Sequence, residues 1–465
     1  MSILKKPFIA LAFVALLTIG AGCGGGGSTV SSLDKVELEI WRVFDDDDTF
    51  DTVIDSYRLT HPNVKIDYRE LRFDEYQDEL VLAIAEGRGP DIFSVHNTWM
   101  HEYQDLMEPM PETITTQSQV QQGTVRKEIV IIEREEETMS TRELSSSFVE
   151  QVELDVILDY QPDDDVEPEE RIYGLPMSMD SLALFYNKDL LDAAGIAEPP
   201  NSWSEFQENI IALTTYDANG EIEQSGGAIG SSDNVERSVD IISLLMMQNG
   251  ANMTDERGRV TFDEVASDVP DDVYPSYDAI AFYTDFANPT KEVYTWDESF
   301  ESSFEAFANG ETAFFIGYSY HTPLLRTTAP KLNFSITTIP QIEGGREVNY
   351  ANFWVEGVSK STEFSDWAWS FILFATDEEN VPSYLEEAQK PTALRSLISS
   401  QLDSEWLGPF ASQVLTAESW YKGYDADATD EILKNLIDEI LAGVEDPDAV
   451  MSSAASRVKQ TYSKN

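Results

Sequence analysis

Cysteine is nearly absent from this chain: there is one, Cys23, in 465 residues. No disulfide can form within the chain, so the folded body is held by packing alone. Basic residues are scarce as well, with 30 Lys and Arg against 86 Asp and Glu and a formal net charge of -56. Such a field repels nucleic acid and anionic membrane surfaces, so no nucleic-acid partner is expected. The excess acid reads as solubility, in a medium where salt screens it. Only four histidines occur, His61, His96, His101 and His321. None forms His-Glu-x-x-His or another metal-binding pair, and no metal is expected. A Gly-x-x-x-x-Gly-Lys phosphate loop is missing, and Ser231 and Ser232 lack the glycines of a nucleophile elbow. No cofactor and no catalytic activity are expected, although acids this numerous leave a glycosidase carboxylate pair open. Long apolar runs are also missing. The one candidate, Phe8 to Ile19, is shorter than the roughly 20 residues that a helix needs to cross a bilayer.

What is present begins at the N-terminus. Lys5 and Lys6, the apolar run and the small residues Gly20-Ala21-Gly22 have the layout of a secretory signal peptide over residues 1–22. With Cys23 immediately after, the segment resembles the bacterial lipoprotein signal, in which the cysteine is lipidated and becomes the new N-terminus. The place three before the cysteine, usually Leu in that signal, holds Gly20. The alternative is ordinary secretion with Cys23 incidental; a lone unpaired thiol in an exported chain favours lipidation. The Gly/Ser-rich stretch that follows makes residues 23–35 a flexible tether. The expected location is therefore the outer face of the cytoplasmic membrane, extracellular or periplasmic.

The rest is globular in composition, with 42% hydrophobic and 11% aromatic residues. Val36 to Ile40 alternates as a strand, Thr49 to Leu59 reads as a helix, and Val64, Ile66 and Tyr68 alternate again. Phe73, Tyr76, Leu80, Ala83 and Ile84 recur at helical spacing, before a third strand at Asp91 to Val95. Strands alternating with helices predict βαβ units and a largely parallel sheet. Residues 112–170, rich in Thr, Ser, Gln and acids, read as a peripheral excursion. Order returns at Tyr173. Strands are predicted at Ala183 to Tyr186, Thr312 to Ile316 and Ile336 to Ile339. Helices are predicted after Ser202, over Phe300 to Ala308 and Trp367 to Ala375, and from Thr429 onward. Asn349 to Trp354 reads as a loop.

Several stretches, in order, resemble one family. They are Ile40-Trp41-Arg42-Val43-Phe44-Asp45-Asp46, His61-Pro62-Asn63-Val64, Ala85-Glu86-Gly87-Arg88-Gly89-Pro90-Asp91, Tyr173-Gly174-Leu175-Pro176, Leu184-Phe185-Tyr186-Asn187-Lys188-Asp189-Leu190, Pro199-Pro200-Asn201-Ser202-Trp203 and Phe304 to Ala313. Together they resemble the extracellular solute-binding proteins of ABC importers, in the sugar-binding group that is maltose-binding-protein-like. The resemblance implies an α/β, two-lobe periplasmic-binding-protein-like fold with central mixed sheets and hinge crossings. Lobe one would comprise 36–176 plus 340–380, and lobe two 177–339 plus 381–465. It also implies a monomer that closes on a carbohydrate and delivers it to ABC permease subunits. A secreted glycoside hydrolase and a binding protein for a non-sugar solute are the alternatives.

A neutral sugar presents apolar C–H faces to aromatic rings and hydroxyls to planar polar side chains. Carried over by that resemblance, the expected contacts are Phe44, Asp45 and Asp46 after the first strand and Asn97, Thr98 and Trp99 after the third. Asp180 lies at the first inter-lobe crossing. Ser232 and Asn234 lie in a loop of lobe two, and Tyr318 or Tyr320 forms an aromatic platform. Asn352 and Trp354 follow, with Trp420 and Tyr421 before the C-terminal helix. Trp203 and Trp369 sit in helix-like contexts and are expected in the core. The acids Asp45 to Asp48 could hold a cation, but such a cluster in a loop reads more simply as solvated.

Overall fold

A computed structural model describes residues 33–122, 128–162, 165–255, 257–264, 274–443 and 446–464. The signal peptide, Cys23 and the tether up to Ser32 lie outside the described residues. Of the remaining tether, Asp34 is docked: its carbonyl accepts from Asn63 Nδ2 at 3.0 Å and its amide donates to Gln117 Oε1 at 3.4 Å.

Two separate sheets organise the chain. In the first, strand Val36–Val43 lies between Val64–Leu71 and Ile92–His96, both parallel to it. Trp354–Ser359 then runs antiparallel to Ile92–His96, and Met107–Glu108 and Gly174–Leu175 pair with it in turn. The sheet is therefore mixed where the alternation of strands and helices predicts it largely parallel. Its extra members arrive from distant sequence rather than through βαβ crossovers. The second sheet has the order Thr215–Tyr216, Ile222–Gly227, Thr312–Gly317, Ala183–Asn187, Phe334–Thr338. Thr312–Gly317 is buried along its whole length, as a central strand covered on both faces must be.

Helix ends follow local chemistry. Asp46 accepts from Thr49 N at 2.9 Å and starts helix Asp47–Thr60. Ser202 caps Trp203–Leu213, and Ser302 caps Ser303–Asn309, which ends on Gly310 at φ 77°. Trp203 and Trp369 are both buried in the core, Trp369 completely. Helix Ala426–Leu441 buries Ile432, Leu433, Leu436 and Ile437 against the body.

Three expectations need correction. Asn349 to Trp354 is no loop: Asn349–Asn352 and Trp354–Ser359 are consecutive strands. The polar residues suggested a turn, but Asn349 is buried with its amide on Thr416 Oγ1 at 2.7 Å. The stretch 112–170 is not peripheral throughout. Thr113–Gln122 and Glu128–Glu137 form a hairpin on helix Ser365–Ala375. Beyond it, Leu144, Phe148, Val152 and Val156 are all buried. Most of the described acids lie on the outer side, with Asp155 an exception that is buried, and the apolar residues at helical spacing face inward. Finally, residues 381–387 belong with the first lobe, because helix Val381–Glu387 packs on Asp47–Thr60. Residues 340–348 belong with the second, since Gln248 Nε2 donates to the carbonyls of Pro340 and Val348.

The two bodies are joined by a small sheet in which Asp180–Ser181 pairs with Asn349–Asn352, which in turn pairs with Ala417–Glu418. Bridges Ser178↔Thr392 and Phe148↔Leu394 carry the remaining crossing.

Candidate functional site

The C-terminal ends of the first lobe's parallel strands, the crossing segments and one edge of the second lobe enclose a cleft of about 940 Å³. Open α/β sheets place ligands beyond the C-terminal ends of their strands. The volume is at the upper end of the range for small-molecule sites.

The floor on the lobe-one side is a buried ion cluster. Arg42, at the end of the first strand, contacts Asp45 at 2.9 Å and Glu356 at 3.0 Å. Lys390 donates to the other oxygen of Asp45 at 2.6 Å, and Tyr384 Oη donates to Asp45 at 2.9 Å. Burial opposes charge on Asp45, but Lys390 and Arg42 outweigh it and hold its carboxyl below the ordinary range. Glu356 goes the other way: burial raises its pKa in spite of Arg42. Asp45 is thus committed to protein partners, and Asp46 is committed to its helix cap. Among the described residues no group of three or more His, Cys, Asp or Glu side chains could hold a metal ion.

Above this floor stands an aromatic wall. Phe44 stacks on Phe73 at 5.7 Å, and Phe73 on Trp99 at 6.0 Å. Trp354 meets Trp99 edge-on at 5.2 Å and Phe44 at 6.0 Å. Phe44 is 61% exposed, an unusual state for a Phe and one that leaves a ring available to a ligand. His96 lies beside Trp354, and burial together with Arg237 lowers its pKa to about 3, so it is neutral.

The opposite wall is polar. Asp240 accepts from Tyr318 Oη at 2.6 Å and from Arg237 Nε at 2.7 Å. Asp180 accepts from the Ser319 amide and hydroxyl at 2.9 and 2.6 Å and from the Ser181 amide at 2.9 Å. Burial outweighs these bonds and raises Asp180 to about 6. Asp430 rises to about 7, through burial and then the nearby charge of Asp240.

Phe44, Asp45, Asp46, Thr98, Trp99, Asp180, Tyr318, Tyr320, Asn352, Trp354, Trp420 and Tyr421 all line the cleft. They do not line it equally. Tyr320 is 44% exposed, whereas Tyr318 is buried with its hydroxyl on Asp240, and Trp420 is buried with its N–H on Ser243 Oγ at 3.1 Å. Three expected residues lie elsewhere. Ser232 donates to Asp438 of the C-terminal helix at 2.5 Å. Asn234 donates to the carbonyls of Asp297 and Phe300 and accepts from Trp296 Nε1 at 2.9 Å. That loop is stitched into lobe two, away from the cleft. Asn97 is buried behind the wall, bonded to Asp155 at 3.1 Å and Ser419 at 3.0 Å. Residues not foreseen also line the cleft, among them Arg237, Gln389, Lys390 and Asp430. Left-handed backbone at Phe44, Arg237 and Gln389, with φ of 73°, 60° and 52°, costs about 1–3 kcal/mol at each.

The family of bacterial extracellular solute-binding proteins matches residues 44–382, and the chain belongs to that family. Among curated relatives, a Brucella abortus protein named as a binding protein is 23% identical over 164 residues, 35% of this chain and 32% of its own length. The maltotriose-binding protein of Pyrococcus abyssi is 22% identical over 204 residues, 43% of this chain and 33% of its own. The matches span about a third of the length of these relatives. Among solved structures, an ABC transporter solute-binding protein from Thermotoga lettingae bound with α-D-tagatose has a TM-score of 0.64 at 19% identity, covering 92% of this chain and 100% of that one. The cyclic α-maltosyl-1,6-maltose binding protein of Arthrobacter globiformis has a TM-score of 0.68 at 15% identity, covering 92% and 99%. The latter two likenesses show the two-lobe fold.

Two outcomes test the electrostatics. Arg42→Met strands Asp45 and Glu356 in a dry site and lowers stability by about 3–5 kcal/mol. Urea denaturation reads this, and Glu356→Gln in the same chain recovers part of the loss. The second concerns pH. A carboxyl whose pKa is raised by folding binds its proton more tightly in the native state. Asp180 and Asp430 therefore weaken the fold as pH climbs from about 4 through about 6 and 7 respectively. Asp430→Asn raises Tm at pH 8 and leaves it unchanged near pH 4. An equal difference at both pH values would exclude burial of the charge as the cause.

Proposed function

We propose that this protein is the extracellular binding component of an ABC importer. It captures an uncharged mono- or oligosaccharide between its lobes and delivers it unaltered to membrane permease subunits. The carrying observation is the pairing of surfaces across one cleft: exposed and half-buried rings on one wall, ion-paired and hydroxyl-bearing groups on the other. Rings match the C–H faces of a sugar, and planar polar groups match its hydroxyls. The named ligands of similar structures, tagatose, maltotetraose and mannotriose, are of this class.

Ligand that prefers the closed form shifts a pre-existing open–closed equilibrium, and the closed shape is what the permease recognises. Export, lipidation at Cys23 and attachment to the outer face of the membrane complete the reading. No described helix is long and apolar enough to cross a membrane. No catalytic step is included, because Asp45 and Asp240 are both held in ion pairs and Asp180 is occupied by Ser319 and Ser181.

A thermal-shift screen with maltotetraose, mannotriose and tagatose tests this. A sugar that binds only the folded form raises Tm, and mass spectrometry of the mixture finds it uncut. Cleaved product would replace this reading with a hydrolase. Trp354→Ala lowers the affinity for the binding sugar by about 1–3 kcal/mol, the scale of a lost aromatic contact in a binding site. Titration calorimetry measures it.

A further inference from the structure

Among the described residues, only three residues other than glycine have left-handed backbones: Phe44, Arg237 and Gln389. All three line the one cleft. Each comes from a different part of the machine. Phe44 follows the first strand of lobe one, and Arg237 opens the buried helix Ser238–Gln248 of lobe two. Gln389 sits in the crossing just after helix Val381–Glu387.

A left-handed backbone is unfavourable for any residue with a Cβ, and glycine is the usual solution. This chain uses that solution elsewhere, with Gly87, Gly195 and Gly310 turning the chain just past helix ends. At the three cleft positions it keeps a side chain instead, and each of these side chains leaves part of itself free of protein partners. Phe44 is 61% exposed. The Gln389 side chain makes no hydrogen bond to a described residue. Arg237 spends Nε and Nη2 on Asp240, at 2.7 and 2.6 Å, and its guanidinium lies 5.7 Å from the Tyr318 ring. Its Nη1 is left without a carboxylate.

We propose that Phe44, Arg237 and Gln389 are the specificity-determining residues of the cleft, Phe44 and Gln389 held on the lobe-one side and Arg237 on the lobe-two side. This rests on the carbohydrate-binding reading and deepens it. The Phe44 ring lies against the C–H face of a sugar ring. The free Nη1 of Arg237 donates to a hydroxyl, and the Gln389 amide both donates and accepts. Because Asp240 already balances Arg237, the class of ligand is an uncharged glycan rather than a sugar acid or phosphate. Residues from both lobes meet one ligand when the lobes close, so a glycan that satisfies all three is the one that stabilises the closed form.

The strain supplies the test. In the full chain, Phe44→Gly and Gln389→Gly relieve the backbone, so apo Tm stays level or rises. Affinity for maltotetraose, mannotriose or tagatose, whichever gives the largest thermal shift with wild type, falls by roughly 5–30-fold, the scale of one lost contact. Phe44→Ala and Gln389→Ala lose affinity equally without the gain in Tm. Arg237→Lys, which keeps a charge beside Asp240 but not the fork, loses affinity with little change in apo Tm. Glycine variants that bind as wild type overturn the inference, and so do glycine variants with lowered apo Tm, since the side chains would then serve the fold. Wild type that binds none of the three sugars overturns the carbohydrate reading and this inference with it. Binding by wild type with unaffected variants overturns this inference alone.

Discussion

The Arg42 guanidinium fixes the first lobe at the point where the cleft begins. It is 3% exposed, and around it lie Asp45, Glu356, Ser94 and Tyr384. These residues come from the first strand and its loop, the third strand, the returning strand Trp354–Ser359 and the helix before the last crossing. Lys390 closes the set from that crossing. A buried cluster of this kind contributes little net stability compared with well-packed apolar residues, because desolvation offsets most of the Coulomb gain. Its geometry is demanding, however. The ion pairs tie the four chain passages together, and the same arrangement places Phe44 and Trp354 6.0 Å apart at the mouth.

The hinge side of the cleft is polar for a different reason. Asp155 accepts from Asn97 at 3.1 Å, Gln151 at 2.9 Å and Ser419 at 3.0 Å, linking the third strand, helix Glu150–Val156 and the stretch before the C-terminal helix. Burial raises its pKa, although Lys422 and these donors pull the other way. Apolar side chains packed across a hinge would resist opening, because separation exposes area at about 25 cal/mol per Å². Hydrogen bonds can be exchanged for bonds to water at far smaller net cost. The acid-rich segment 112–170 therefore supplies part of the hinge. Asn97, expected to touch ligand, serves the joint behind the wall.

Legibility in the sequence followed from how local each signal was. The strand Val36–Val43, helices Trp203–Leu213 and Ser303–Asn309, and the central strand Thr312–Gly317 could be foreseen, because period, caps and turn glycines all lie within a dozen residues. The fold class came through the order of short stretches rather than from any one of them. Three things were not legible. Antiparallel membership of Trp354–Ser359 depends on partners far away in the chain, at Ile92–His96, Met107–Glu108 and Gly174–Leu175. Whether Ser232 and Asn234 face the cleft was decided by Asp438 and Trp296, which the loop itself does not reveal. The residues missed, Arg237 and Gln389, sit in stretches with no turn glycine, and the only trace they leave is the backbone conformation.

The charge distribution explains why such an acidic chain can present a neutral site. A net charge of -56 makes the exterior strongly negative. Inside the cleft three of the four lining cations are matched nearby, Arg42 by Asp45 and Glu356, Lys390 by Asp45 and Arg237 by Asp240, while Arg326 lies over the Trp406 ring. Two buried carboxyls of the cleft move toward neutrality, Asp180 at about 6 and Asp430 at about 7. A charged solute gains no steering from such walls, and an anion meets repulsion on the way in. What remains to distinguish one solute from another is shape, ring stacking and the direction of hydrogen bonds. These terms act at contact distance, so selection takes place after the lobes begin to close rather than during the approach.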